Sequence, residues 1–313
     1  DYCTAVGYNA LKANTTANNN TAVGYYALVG NTTGAENIAV GSGALDANTT
    51  GGYNVGIGTN ALGSNTTAQY NVAVGQNCLD ANTTGGDNVA IGWSALGANT
   101  TASNNTAIGA HCMQSNTTGT ANTGVGQECL LNVTGDKNTC MGQSAGWWIN
   151  SGNYNTTMGY VAGYGVTTGS NNLLLGYNSG TASSPSGNIT TVSDRICLGN
   201  NSITDSYIKV DWTVTSDERD KTDIQDISTG LAFVNQLKPK SYWFRKERGS
   251  DVKQGSKRLG FLAQDILALE GSDPIIIDNE DTDNLKYKGE HLVPVLVNAI
   301  KELSAKVTAL EAK

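Results

Sequence analysis

Apolar, glycine and polar positions repeat every 17 residues along the first two thirds of the chain. Gly recurs at Gly7, Gly24, Gly41, Gly58, Gly75, Gly92, Gly109 and Gly126, then at Gly142, Gly159, Gly176 and Gly199 after one step of 16 residues and one of 23. The unit reads Asn-x-Ala-Val-Gly-x-x-Ala-Leu, followed by a polar Asn-Thr-Thr-Gly connection. Val, Ile, Met or Leu precedes each Gly, a mostly small residue such as Ala5, Ala22 or Ala39 stands two before it, and Asn stands four before it from Asn20 to Asn172. A short β-branched stretch bounded by Gly and Asn/Thr predicts a strand. Strict periodicity predicts that equivalent residues stack, coil on coil, in a parallel β-solenoid or β-roll. Gly, Asn and Thr oppose helix throughout. At ~4.8 Å per coil, eleven intervals predict a rod roughly 50 Å long. The stacked Asn column is expected to pair amide to amide. Ala, Val and Leu are expected to fill a thin core, which predicts that several chains share buried surface.

Two other columns invite sharper chemistry. Cys78, Cys112 and Cys129 fall where other coils have Ala, and Cys140 and Cys197 fall in the second small-residue column. They read as small buried hydrophobes. With no Cys-x-x-Cys and only His111 and His291, no metal site or cofactor is expected. Asn-Thr-Thr recurs from Asn14 to Asn116 and matches a glycosylation acceptor. Repetition in strict phase favours turn residues at the coil edge instead.

Composition then divides the chain. Of its 313 residues, residues 1–211 carry 14 charged side chains and 32 Gly, whereas 212–313 carry 32 charged side chains and 6 Gly. Two domains follow, a 1–211 shaft and a 212–313 domain, with the break near Trp212. A net charge of −8 argues against nucleic acid as the main partner. No apolar run is long enough to span a membrane, and no signal peptide is visible. The chain begins without Met and in mid-pattern, as a fragment of a longer chain would.

The 212–313 part has an ordinary charged α/β pattern. Ile224–Leu237 and Leu259–Glu270 are expected as short helices or mixed elements. Gly271–Lys288 is expected as a strand and loop, with Ile275-Ile276-Ile277 as the buried strand. At the end, Leu296, Ile300, Leu303, Val307 and Leu310 are spaced as a heptad seam, which predicts a coiled-coil-like, self-associating helix.

Ser216-Asp217-Glu218-Arg219-Asp220-Lys221-Thr222-Asp223-Ile224 resembles the opening of the C-terminal intramolecular chaperone auto-processing domain of phage tail fibres, tailspikes and endosialidases. Leu237-Lys238-Pro239, Tyr242-Trp243, Gly260-Phe261-Leu262-Ala263-Gln264-Asp265, Tyr287 and the closing helix agree in order. The resemblance covers about 215–313. It implies a homotrimer-assembling chaperone that cuts itself off once, as a serine endopeptidase, with Ser216 and Lys221 as the catalytic dyad and Ser216–Asp217 as the scissile bond. Glu218, Arg219, Gly260, Phe261 and Gln264 are the supporting motif.

The dyad's chemistry sets conditions on its geometry. A Ser hydroxyl needs a base, and a Lys amine accepts a proton only when neutral, a form favoured by burial or by a neighbouring cation such as Arg219. Five helical residues would turn the two side chains ~140° apart. The pair therefore needs a non-helical segment or a contact between chains of the trimer.

The leading reading is a virion protein: a shaft that meets a host cell-surface receptor or glycan, and a chaperone domain released in the host cytoplasm during assembly. The alternative is a glycan-degrading tailspike, or a host-binding adhesin with the same chaperone. A glycosidase needs a carboxylate pair ~5–9.5 Å apart. Asp46 and Asp80 share a phase, but two coils put them ~10 Å apart.

Overall fold

In the 17-residue unit only three residues are extended, so each coil contributes one short strand. The computed structural model describes residues 2–209 and 214–313. Twelve strands, from β1 (Thr4–Val6) to β12 (Ile196–Leu198), form one sheet in sequence order. Neighbours pair parallel and in register, Ala5 with Ala22 and Ala73 with Ala90. This is the expected parallel β-solenoid, its strands pairing within the one chain. The chain divides into compact units between Asn201 and Ser202. The break anticipated near Trp212 lies outside the described residues.

Strand geometry decides what enters the core. Successive side chains point to opposite faces, so the middle residue of each strand turns inward. Ala22, Ala39, Ala73 and Ala90 are fully buried, and so is the Leu column Leu28, Leu45, Leu62, Leu79 and Leu96. The Val column does not join them: Val6, Val40, Ile57, Ile91 and Ile108 are exposed. The expectation that Val fills the core is thus corrected, because Val flanks an inward-facing Ala on a three-residue strand. Leu28 and Leu45 enter the core from left-handed backbone, at φ 50° and 53°, a strained conformation held by stacking on both sides.

The conserved phase of Gly has a steric cause. Gly75 has φ +141°, and a Cβ there would lie 2.5 Å from the carbonyl oxygen of Gly92 in the next coil. Only glycine allows that approach.

Two buried ladders of Asn run through the coils. In the first, Asn88 Oδ1 accepts from the Asn105 backbone N–H at 3.0 Å, while Asn88 Nδ2 donates to Asn71 Oδ1 at 3.1 Å and Ala102 O at 3.0 Å. In the second, Asn48 Nδ2 donates to Asn31 Oδ1 and to Gly51 O, both at 2.9 Å. Asn31, Asn48, Asn65 and Asn82 are fully buried, so the Asn-Thr-Thr triplets are turn and ladder residues of the folded coil. The second ladder stops at Asn99, whose Oδ1 has no partner among the described residues. Beyond Asn116 its column is occupied by the buried apolar residues Val133, Ile149, Val166 and Ile189.

The cysteines behave as core residues. All six are free, and Cys78, Cys112, Cys129 and Cys140 are fully buried. Burial pushes the Cys78 thiol up to about 12, which keeps it protonated and inert.

The second unit has less regular structure. Helix α1 (Leu231–Val234) precedes a hairpin of β13 (Lys240–Arg245) and β14 (Lys253–Gly260); then come α2 (Ala263–Glu270), the β15 (Ile277–Asp278) and β16 (Lys286–Tyr287) pair, and α3 (Leu292–Glu311). Helix over Ile224–Leu237 is therefore confined to one turn, and Leu259–Gly260 belongs to a strand rather than to α2. Its small core gathers Ile266, Ile276, Ile277, Leu292 and Val295 with Phe261 packed against them. Ile275 is exposed. The Glu270 carboxylate holds the loop by accepting from the N–H groups of Ile275, Ile276 and Ile277 at 2.6–3.0 Å.

Candidate functional site

The segment from Ser216 to Lys221 folds into one tight reversal. Asp217 starts it: extended at φ −66°, ψ 135°, it accepts the Arg219 N–H on its side chain at 2.9 Å. Glu218–Asp220 form a single 3-10 turn. Lys221 then leaves in extended conformation, φ −123° and ψ 148°, with its N–H on Glu218 O at 3.1 Å. Extended residues on both sides of one turn bring the Lys221 side chain back over Ser216. Lys221 Nζ lies 2.7 Å from Ser216 Oγ and 3.1 Å from Ser216 O.

Of the two routes open in the sequence, the chain takes the non-helical one. Its two side chains meet within a single copy. Both remain exposed.

Arg219 has a different partner from the one expected. Its guanidinium forks onto Asp217, with Nε 3.0 Å from Oδ1 and Nη2 2.6 Å from Oδ2. The Arg219 bonds hold the Asp217 carboxyl below its ordinary range, and Asp217 raises Arg219 in return. Glu218 contributes its carbonyl to the turn. Gly260, Phe261 and Gln264 are not part of this site. Gly260 ends β14 beneath the Tyr242 ring, Phe261 packs into the small core with its ring 6.1 Å from Tyr287, and Gln264 is exposed on α2.

Helix α3 presents two distinct faces. One is used inside its own unit: Leu292, Val295 and Ala299 are buried, Asn298 Nδ2 donates to Ile227 O and Thr229 O, and Glu302 Oε2 accepts the Leu231 N–H at 3.0 Å. The heptad positions Leu296, Ile300, Leu303, Val307 and Leu310 are all exposed, Ile300 at 66% and Leu310 at 68%. Asn298, Glu302 and Glu270 escaped sequence reading because their partners are set by the tertiary fold; Asn298 and Glu302 reach back 69 to 71 residues.

The shaft offers less chemistry. Asp46 and Asp80 converge on the space above Gly63. Burial raises both carboxyls, and for Asp80 the neighbouring Asp46 adds to the effect. Elsewhere exposed rings stack between coils, Tyr53 on Tyr70 at 5.0 Å and Tyr160 on Tyr177 at 5.7 Å.

Comparison with known proteins agrees with this division. The Peptidase_S74 family model, chaperone of endosialidase, matches residues 216–270. Over 145 residues the chain is 32% identical to a probable tail fiber protein of Escherichia phage Phieco32, a match covering 42% of this chain and 19% of that protein. The match thus spans about a fifth of that relative's length. No solved structure matches. An endosialidase-type chaperone domain therefore follows a repeat shaft in this chain.

Proposed function

We propose that this chain is a segment of a phage tail fibre whose C-terminal domain assembles it as a homotrimer and then cuts itself away at Ser216–Asp217. The observation that carries this reading is the contact of Lys221 Nζ with both Ser216 Oγ and Ser216 O, within the stretch that matches the chaperone family. Deprotonated, the Lys221 amine would accept the hydroxyl proton of Ser216. Protonated, it draws electron density from the Ser216 carbonyl.

That carbonyl belongs to the Ser216–Asp217 bond, which favours this bond over Thr215–Ser216. Ring size favours the other: attack by Oγ on its own carbonyl closes four members, and attack on the Thr215 carbonyl closes five. The mass of the released fragment decides between them.

Exposure of the pair explains a delay. A lysine gives up its proton more readily where water is excluded, and a neighbouring chain laid over this turn would exclude it. Cleavage would then follow assembly, in the host cytoplasm, and leave the shaft on the virion to meet a cell-surface receptor or glycan. A chaperone suits this shaft because coils 17 residues apart are nearly self-similar. Chains slipped by one coil would still pair, so a non-repeating domain is needed to fix their register.

A denaturing gel of wild type beside Ser216→Ala and Lys221→Ala tests the reading. The small C-terminal fragment should appear only in wild type. Its persistence in Ser216→Ala would remove the dyad from the mechanism.

A further inference from the structure

The outer face of the twelve-stranded sheet is unusual for a surface. Each strand turns its first and third residues outward, so two columns run the length of the shaft. The first holds Thr, Val, Ile and Leu from Thr4 to Ile196, and the second holds Val, Ile, Met and Leu from Val6 to Leu198. Ile38, Val40, Ile57, Met158 and Leu198 are among those exposed. No charged residue stands in either column, although charges such as Lys12, Glu36 and Asp87 occupy other columns of the same coils. Single exposed apolar residues are ordinary. A continuous uncharged face, apolar along the whole of its second column, is not.

From these observations we propose that the face is the contact between copies of the shaft, with three chains packing their sheets around a common axis. The inference rests on the homotrimer reading and names the surface that the shaft contributes to it. Three features select a second copy over any other partner. The face is long: twelve strands at ~4.8 Å by three residues at ~3.3 Å give a strip of roughly 50 by 10 Å, whose standing side chains enlarge its accessible area. That is of the order needed against the ~800 Å² that each partner of a standard interface buries.

The face is also periodic. A neighbour complementary to every level must rise by the same step per strand, which an identical shaft in parallel does. Finally, a symmetric contact places each residue near its own equivalents. Charges there would repel at every level, and the columns contain none.

The same arrangement accounts for the under-filled core anticipated from the sequence. The Ala and Leu columns close within one chain, and the Val and Ile columns remain for the neighbours.

Disulfide trapping in the full chain tests the assignment, with Cys3 replaced by Ser because the other five thiols are buried. Ile38→Cys and Val40→Cys lie on the face near one end, and Thr33→Cys is an exposed position off it. Leu303→Cys reports on α3. Under mild oxidation, Ile38→Cys or Val40→Cys should shift most of the chain to a covalent dimer on a non-reducing gel, and Thr33→Cys should not. A dimer from Leu303→Cys with none from Ile38→Cys or Val40→Cys would overturn the face assignment and leave helix-mediated association standing. No dimer from any of the three would overturn self-association itself. Equal trapping at Thr33 would show random collision and also overturn the assignment.

Discussion

The shaft and the C-terminal unit solve the same problem in opposite ways. In the shaft, stacking gives most buried polar groups a partner one coil away: Asn bonds Asn, Thr49 Oγ1 bonds Thr66 O at 3.0 Å, and Leu79 N bonds Ala95 O at 3.0 Å. In the C-terminal unit the corresponding positions are open. The heptad face of α3 is exposed, and so is the Ser216–Lys221 pair. Repetition lets one chain complete its own interior, while the irregular unit leaves an apolar helix face and the Ser216–Lys221 pair exposed. The shaft's sheet face is where the two strategies meet.

Glycine substitutions break this comparison most sharply. Gly75 and Gly249 both have positive φ, at +141° and +85°. A Cβ on Gly75 would sit 2.5 Å from Gly92 O, whereas nothing lies within 4 Å of one on Gly249. Neighbouring coils cannot move apart without losing the ladder on both sides. Gly75→Ala should therefore cost more than ~4 kcal/mol, or prevent the shaft from folding. Gly249→Ala should cost about 1 kcal/mol, the strain of a left-handed alanine alone. Urea unfolding followed by circular dichroism distinguishes them. Equal effects would mean that the coil contact is softer than its geometry.

Asparagine gives a smaller contrast. Asn88→Ala would strand the buried N–H of Asn105, while the Ala102 carbonyl keeps its bond from Asn99 Nδ2, at about 1–3 kcal/mol. Asn298→Ala on α3 removes bonds from a half-buried amide that water can reach, and should cost about 1 kcal/mol or less. The same unfolding curves report both.

The two regions were also unequally legible in sequence. The Gly, Asn and small-residue columns place the strands, the register and one Asn ladder, because each coil repeats one local solution. They do not reveal which way Val points, since a three-residue strand gives too short an alternation to choose a face. Nor do they reveal Leu28 and Leu45 in left-handed backbone, a conformation that leucine avoids alone and adopts here under stacking. The change of the second ladder from Asn116 to Val133 is visible in the letters, but its meaning depends on knowing that the column is interior. In the C-terminal unit, resemblance located Ser216 and Lys221 while physical reasoning left their meeting open between two routes. The β13–β14 hairpin was hidden because Lys240-Ser241-Tyr242-Trp243-Phe244-Arg245 has a bulge between Tyr242 and Phe244 and is mostly exposed. Its pattern follows no buried face.

The subtlest difference between the regions concerns carboxylates. In the C-terminal unit Asp217 is held below its ordinary range by Arg219, which favours the charged form. In the shaft Asp80 is raised by burial and by the Asp46 charge, which disfavours it. A carboxyl raised on folding binds its proton more tightly in the native state. Its contribution to stability is therefore greatest below the unfolded carboxylate range, and it falls as pH rises through the native value. At neutral pH the Asp46–Asp80 pair accordingly opposes the fold. Asp80→Asn removes that opposition while keeping the side-chain shape. It should raise the shaft's thermal midpoint slightly at pH 7, and the gain should shrink towards zero as the buffer is acidified through the ordinary carboxylate range. Both carboxyls are half-buried, so water screens the effect and keeps it small. A loss of stability at pH 7 would instead mean that Asp80 holds the coil edge through a contact worth more than its repulsion from Asp46.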